Sequence, residues 1–214
     1  MSPHVELLAV QYPGRQDRLR DRFIVDIRRL AAEIYSALAA FSDRPLAIFG
    51  HSMGALVGYE LALRFEREAD ERLLGFVPSG LRAPSSRPVA ADATTDEQLL
   101  ENVARLGGTD AAVISNPDVL ALVLPALRAD SQAVALYRHQ PSPPLRCPTL
   151  VCVGDEDPLT TVADAEAWRN LVDDHFAIRR FEGGHFYLQT AAAALTATLI
   201  AVLRDWSSSR RSCG

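Results

Sequence analysis

The chain has no surplus of positive charge: 22 basic residues stand against 27 acidic ones, a formal net charge of −5. Nucleic acid and anionic membrane surfaces both favour a basic partner, so binding to either is set aside. Every basic residue is arginine, from which no function follows. Cysteine is scarce, and three are too few for a disulfide framework. Cys147 and Cys152 flank or lie in one apolar strand and Cys213 sits in a polar tail, so buried thiols are expected in place of a metal or redox site. The opening residues, Met1 to Val10, have neither a basic n-region nor a sufficient apolar run, and no later segment reaches membrane-spanning length without charge. The expected location is the cytoplasm. What the chain does have is 48% hydrophobic residues over 214 positions, enough to bury one sizeable core, so a single domain over 1–214 is expected.

Residues 44 to 66 organise the rest. A short apolar run, Leu46 to Phe49, enters Gly50-His51-Ser52-Met53-Gly54, and good helix formers leave it. G-x-S-x-G between a strand and a helix is the context of a nucleophile elbow. The glycines let backbone approach a turn too tight for side chains, and the Ser52 hydroxyl is exposed at a helix N-terminus. There the Met53 N–H, aided by the helix dipole, can stabilise an oxyanion. The competing reading is a tight turn whose serine merely caps the helix.

In chain order, Glu6 to Gln11 reads as a short buried strand and Tyr12 to Arg15 as a turn. From Ile27, the positions Leu30, Ala31, Ile34, Leu38 and Phe41 recur at helical spacing. After the elbow, Leu73 to Val77 reads as a second strand. Alternating strands and helices imply parallel pairing with right-handed crossovers. From about residue 82 to 144 the pattern changes to helices, around Asp96 to Leu106 and Pro117 to Tyr137, the second interrupted by Pro125. This is either a lid over a site or a helical subdomain that never moves. Thr149 to Val153 is a compact strand ending at Gly154-Asp155-Glu156-Asp157-Pro158. Thr161 caps a helix running through Trp168, with Asp164 favourable at its start. Phe176 to Phe181 is the last strand, Gly183-Gly184-His185-Phe186 follows, and a final helix reaches about Trp206 before a disordered tail, 207–214.

A serine hydroxyl needs a base, and the base needs a carboxylate to hold one tautomer. The order Ser, acid, His, each partner after a strand, is the hydrolase order. Ser52, Asp157 and His185 supply it. His51 is discounted because the elbow backbone would point it elsewhere. Asp155 competes with Asp157; Asp157 is chosen because Pro158 fixes its turn, with Asp155 as the fallback.

With these residues placed, the chain resembles the stand-alone type II thioesterases of polyketide and nonribosomal peptide pathways. The resemblance rests on Tyr12-Pro-Gly-Arg-Gln-Asp-Arg18, Phe49 to Ala55, Ser79-Gly80, Leu106 to Thr109, Leu124 to Asp130, Gly154 to Pro158 and Phe181 to Phe186. It implies an α/β-hydrolase fold, a mostly parallel sheet with flanking helices and a helical lid over about 82–144. It also implies hydrolysis of acyl groups from the phosphopantetheine thiol of acyl or peptidyl carrier proteins, with Ser52 as nucleophile, His185 as base and Asp157 as orienting acid. No metal or cofactor is required, and a monomer is expected. Arg87 and Arg105 are candidate contacts for an acidic carrier domain. Relatives carry a strand and a glycine-rich loop before the segment corresponding to Val5, which supply a second oxyanion N–H. This sequence starts after them, so the expectation is a single donor, Met53, at a cost on the order of 10²–10³ in kcat. The alternatives are a general carboxylesterase and a truncated, non-catalytic form that binds carrier protein.

Overall fold

The computed structural model describes residues 5–41, 43–86, 95–107 and 116–212. Four strands, β1 (Leu46–His51), β2 (Leu73–Ser79), β3 (Thr149–Gly154) and β4 (Phe176–Phe181), form one parallel sheet in the order β1-β2-β3-β4. The apolar composition of the two central strands, β2 and β3, reflects burial on both faces, whereas the edge strands β1 and β4 are partly exposed. Helices α1 (Ile27–Ala37) and α2 (Met53–Arg67) pack on one face, and α7 (Ala192–Ser212) covers the other.

The larger core joins Ile27, Leu30 and Ile34 of α1 to Leu56, Tyr59 and Phe65 of α2, and through Ile48, Phe76 and Val151 to the sheet. Asp26 starts α1 by accepting from the Arg29 N–H, which leaves the apolar stripe of Ile27, Leu30, Ala31 and Ile34 on the sheet side. Trp168 is fully buried and donates its indole N–H to the Leu81 carbonyl at 2.8 Å. The opposite core gathers Val77, Leu150, Cys152, Phe181, Tyr187 and Leu195.

The insertion is helical as expected: α3 (Asp96–Leu106) and α4 (Pro117–Leu136) are joined by an ion pair between Asp96 and Arg128. Thr95 and Gln98 form a capping box on α3, and Asn116 caps α4. Pro125 does not interrupt α4, which runs through it. Among the described residues α4 alone is long and apolar enough to cross a membrane, by length and composition. Two of its charged residues, Arg128 and Asp130, are nonetheless engaged within the domain. Arg128 holds Asp96, and Asp130 takes both guanidinium nitrogens of Arg15 at 2.9 and 2.8 Å.

Three expectations need correction. Residues 6–11 form no strand: Leu7 and Val10 are 71% and 54% exposed, and no ladder partner reaches them. A short apolar run becomes a strand only when a neighbour completes its hydrogen bonds. Residues 207–212 are not a disordered tail but continue α7. Serine is a tolerable helix residue once the helix is established, and Ser207 and Ser209 bond back to the Leu203 and Asp205 carbonyls. The helix capped by Thr161 is shorter than expected: α5 (Val162–Glu166) tightens into a 3₁₀ turn from Ala167 to Leu171, and a single-turn α6 (Tyr187–Thr190) precedes α7. Cys213, Arg87 and Thr109 lie outside the described residues.

Candidate active site

Every candidate catalytic residue lies just past the C-terminal end of a strand, where open α/β sheets place their sites. At the exit of β1, Ser52 adopts φ 53°, ψ −121°, a conformation that non-glycine residues avoid. Such strain costs on the order of 1–3 kcal/mol and persists only where the surroundings impose it. Here the Ser52 N–H is tied to the Ser79 carbonyl at 2.9 Å, and its own carbonyl accepts from Ala55 at 2.8 Å. Gly50 is the other constraint: a Cβ on it would stand 2.0 Å from the Gly54 carbonyl oxygen. Only glycine fits.

The Ser52 side chain makes no cap bond to α2, which removes the reading of the motif as a simple helix cap. Among the described residues no side-chain hydrogen bond is formed to it. Met53 opens α2, so its N–H belongs to the first turn, whose amides have no intrahelical acceptor. It stands at the positive end of the helix, next to the hydroxyl.

The two other residues are brought together across 28 positions of sequence. His185 Nδ1 lies 2.9 Å from Asp157 Oδ2, both side chains being buried, at 2% and 0% exposure. The second carboxylate oxygen of Asp157 accepts the Leu159 N–H at 2.8 Å, fixing the carboxylate within its own turn. Asp155 is exposed and does other work, accepting the Gly183 N–H at 2.9 Å. The acid loop and the histidine loop are therefore bound to each other. The Asp155 N–H donates to Phe181 O, and the Glu156 N–H donates to Gly183 O. With Nδ1 engaged by the carboxylate, the ring's other nitrogen, Nε2, is the one left to exchange a proton.

The structure also places residues that sequence reasoning passed over. His51 does not point away: its ring centroid lies 4.8 Å from that of His185. Burial first, and then the neighbouring His185, hold its pKa down to about 4, so it is neutral near pH 7. Its Nδ1 is 2.9 Å from Ser79 Oγ, which in turn lies 2.7 Å from the Tyr187 hydroxyl. The signal that finds them is register: His51 pairs with Ser79, and Ser79 with Cys152, at the ends of adjacent strands. Tyr12 also approaches, its hydroxyl 4.0 Å from where a Gly54 Cβ would lie. Burial, Asp130 and, in the opposite sense, Arg15 leave its pKa raised to about 12.

Comparison with known proteins adds the family. The thioesterase domain model matches residues 1–204. The chain is 40% identical over 189 residues to the probable cadicidin biosynthesis thioesterase of Streptomyces griseus, covering 87% of this chain and 52% of that protein. It is 40% identical over 190 residues to thioesterase PikA5 of Streptomyces venezuelae, covering 88% of this chain and 68% of the relative. It thus spans about half of the first relative and about two thirds of the second. Among solved structures, the type II thioesterase BorB from the borrelidin biosynthetic cluster superposes with a TM-score of 0.85 at 38% identity, covering 94% of this chain and 83% of BorB. The sequence match and the shared architecture agree, and the chain belongs to the thioesterase family of α/β-hydrolases, on its type II branch.

Proposed function

We propose that this protein is a serine thioesterase that hydrolyses acyl groups from the phosphopantetheine thiol of acyl or peptidyl carrier proteins, as an editing or releasing enzyme of polyketide or nonribosomal peptide synthesis. The observation that carries the reading is the buried His185–Asp157 contact at 2.9 Å, set at the strand ends beside a strained, uncapped Ser52. The relatives' own names support a thioester as the bond cleaved and a biosynthetic setting, and the carrier-protein thiol is the substrate we propose within it.

In this mechanism His185 Nε2 takes the Ser52 proton as Oγ attacks the thioester carbonyl. The carbonyl becomes an oxyanion facing the Met53 N–H. Collapse breaks the C–S bond, and the thiolate receives the proton from His185, leaving an acyl-serine. His185 then removes a proton from water, which attacks the ester, and returns it to Ser52 Oγ as the acid leaves. Asp157 holds the tautomer that keeps Nε2 available as acceptor and stabilises the imidazolium between the steps. No step needs a metal or cofactor.

The insertion of residues 82–144 is assigned as the lid. Among its anchors are the Arg15–Asp130 pair at α4 and the Tyr137 hydroxyl at the end of α4, which donates to the buried Glu60 carboxylate at 2.8 Å. The test is hydrolysis of a short acyl-pantetheine thioester by the protein and by Ser52→Ala. Turnover confined to the parent is expected. A matched oxygen ester cleaved faster than the thioester would replace the reading with a general carboxylesterase. Binding of acyl-carrier protein with no turnover in either form would replace it with a non-catalytic binder.

A further inference from the structure

Beside the proposed triad lies a second buried polar row that the mechanism above does not use. His51, Ser79 and Cys152 are in register across the ends of β1, β2 and β3. Side chains in register on a parallel sheet share a face. On this face Ser79 is fully buried, accepting or donating on both sides: to His51 Nδ1 at 2.9 Å and to the Tyr187 hydroxyl at 2.7 Å. Tyr187 follows His185 by two residues and is itself buried, stacked on Phe181 with centroids 5.0 Å apart. The row is therefore tied at one end to the elbow and at the other to the loop that carries the base. Between its ends, the His51 ring lies 4.8 Å from the His185 ring.

We propose that Tyr187, Ser79 and His51 form a positioning relay for His185, holding the elbow histidine's ring as a fixed wall against the catalytic imidazole. The inference rests on the triad assignment above. The Ser79 hydroxyl bridges His51 and Tyr187, and the Tyr187 hydroxyl also meets the Cys152 thiol, so the row is closed within the sheet, and buried polar groups persist where they are hydrogen-bonded. A ring fixed by Ser79 limits how far the His185 ring can turn about its Asp157 contact. Neutrality matters as well, because a cation at His51 would oppose the imidazolium that forms as Ser52 is deprotonated. None of the three residues needs to touch substrate, so their removal should slow chemistry and leave binding alone.

The experiment uses the full chain with Ser79→Ala, Tyr187→Phe and the double variant. It reads acyl-pantetheine thioester kinetics together with the second-order rate at which a fluorophosphonate labels Ser52. Ser79→Ala should lower kcat about tenfold, as expected for one buried hydrogen bond, with KM within about twofold. Tyr187→Phe should lower it about threefold, and the double variant should fall no further than Ser79→Ala, because both cut one chain. Labelling rates should fall in the same ratios. Thermal melts establish that the variants are folded, and Tyr187→Phe removes a single oxygen, so it remains informative should Ser79→Ala unfold. A kcat within twofold of the parent in both single variants, a KM increase at constant kcat, or losses that multiply in the double variant would overturn the relay. A parent that labels but cleaves no thioester would sink the substrate reading alone, and the labelling ratios would then decide the relay. A parent that does neither overturns both.

Discussion

Gly154→Ala isolates the joint on which the proposed site depends. Gly154 closes β3, and a Cβ there would stand 2.3 Å from the Gly184 carbonyl oxygen and 2.4 Å from that of Gly183. Real Cβ atoms essentially never come within 3.0 Å of such neighbours, so one backbone must retreat by at least 0.7 Å, the difference between 3.0 and 2.3 Å. Those two backbones carry Asp157 and His185, whose contact is 2.9 Å. Opened by the same amount it reaches about 3.6 Å, which is no longer a hydrogen bond. A displacement of that order at a catalytic group costs about 10²-fold in kcat. Overpacking a buried backbone costs about 1–3 kcal/mol, at about 2–4 °C of Tm per kcal/mol for a chain of this size. Steady-state kinetics and a thermal melt read the two effects separately. Gly184→Ala is the control, since its Cβ would meet nothing nearer than Glu156 O at 3.9 Å. Gly154→Ala with kcat within threefold of the parent, or with no larger effect than Gly184→Ala, would refute the claim that this crowding sets the His185–Asp157 geometry.

Asp157→Asn should leave the fold intact and lower kcat by about 10⁴ with little change in KM, because the amide favours the tautomer in which Nε2 holds a proton and cannot accept one. A loss below about tenfold would return the acid role to another carboxylate. Asp70 is held down to about 2, chiefly by its hydrogen bonds from the Arg72 guanidinium. Its folded-state pKa is thus below its unfolded value, and the stability it contributes is present above pH 4 and lost as pH falls through 2. The Tm deficit of Asp70→Asn should therefore be full at pH 6 and shrink between pH 4 and 2; a deficit constant over that range would count against the pair. Burial raises both Cys147 and Cys152 to about 12, so in Cys213→Ser neither thiol should react with an aromatic disulfide reagent until the protein is unfolded. Reaction of the native protein would contradict their burial.

Local chemistry explains why so much of the molecule was readable from one dimension. The elbow is written in five contiguous residues, since the crowding of Gly50 against Gly54 is a consequence of neighbours in the chain. The capping residues Asn116, Thr95 and Thr161 act within three residues of themselves. Helical period marked α1, and apolar runs marked β2 and β3. Where a partner had to be supplied by the rest of the molecule, the reading failed. Residues 6–11 hold an apolar run that reads as a buried strand and are not one, and residues 207–212 look like a tail and prolong a helix.

The sequence by itself determined the fold class, the helical insertion and the turns that carry Ser52, His185 and the competing Asp155 and Asp157, because strand-exit turns and glycine spacing are local properties. Tertiary structure decided the pairing. It separated Asp157, buried against His185, from Asp155, which only ties down the Gly183 amide. It also turned His51 from a bystander in the elbow into a neighbour of the base, through a hydroxyl on the adjacent strand. The physical reason is that hydrogen-bond partners and burial are set by strand register and loop closure between segments far apart in the chain, and no local pattern encodes either.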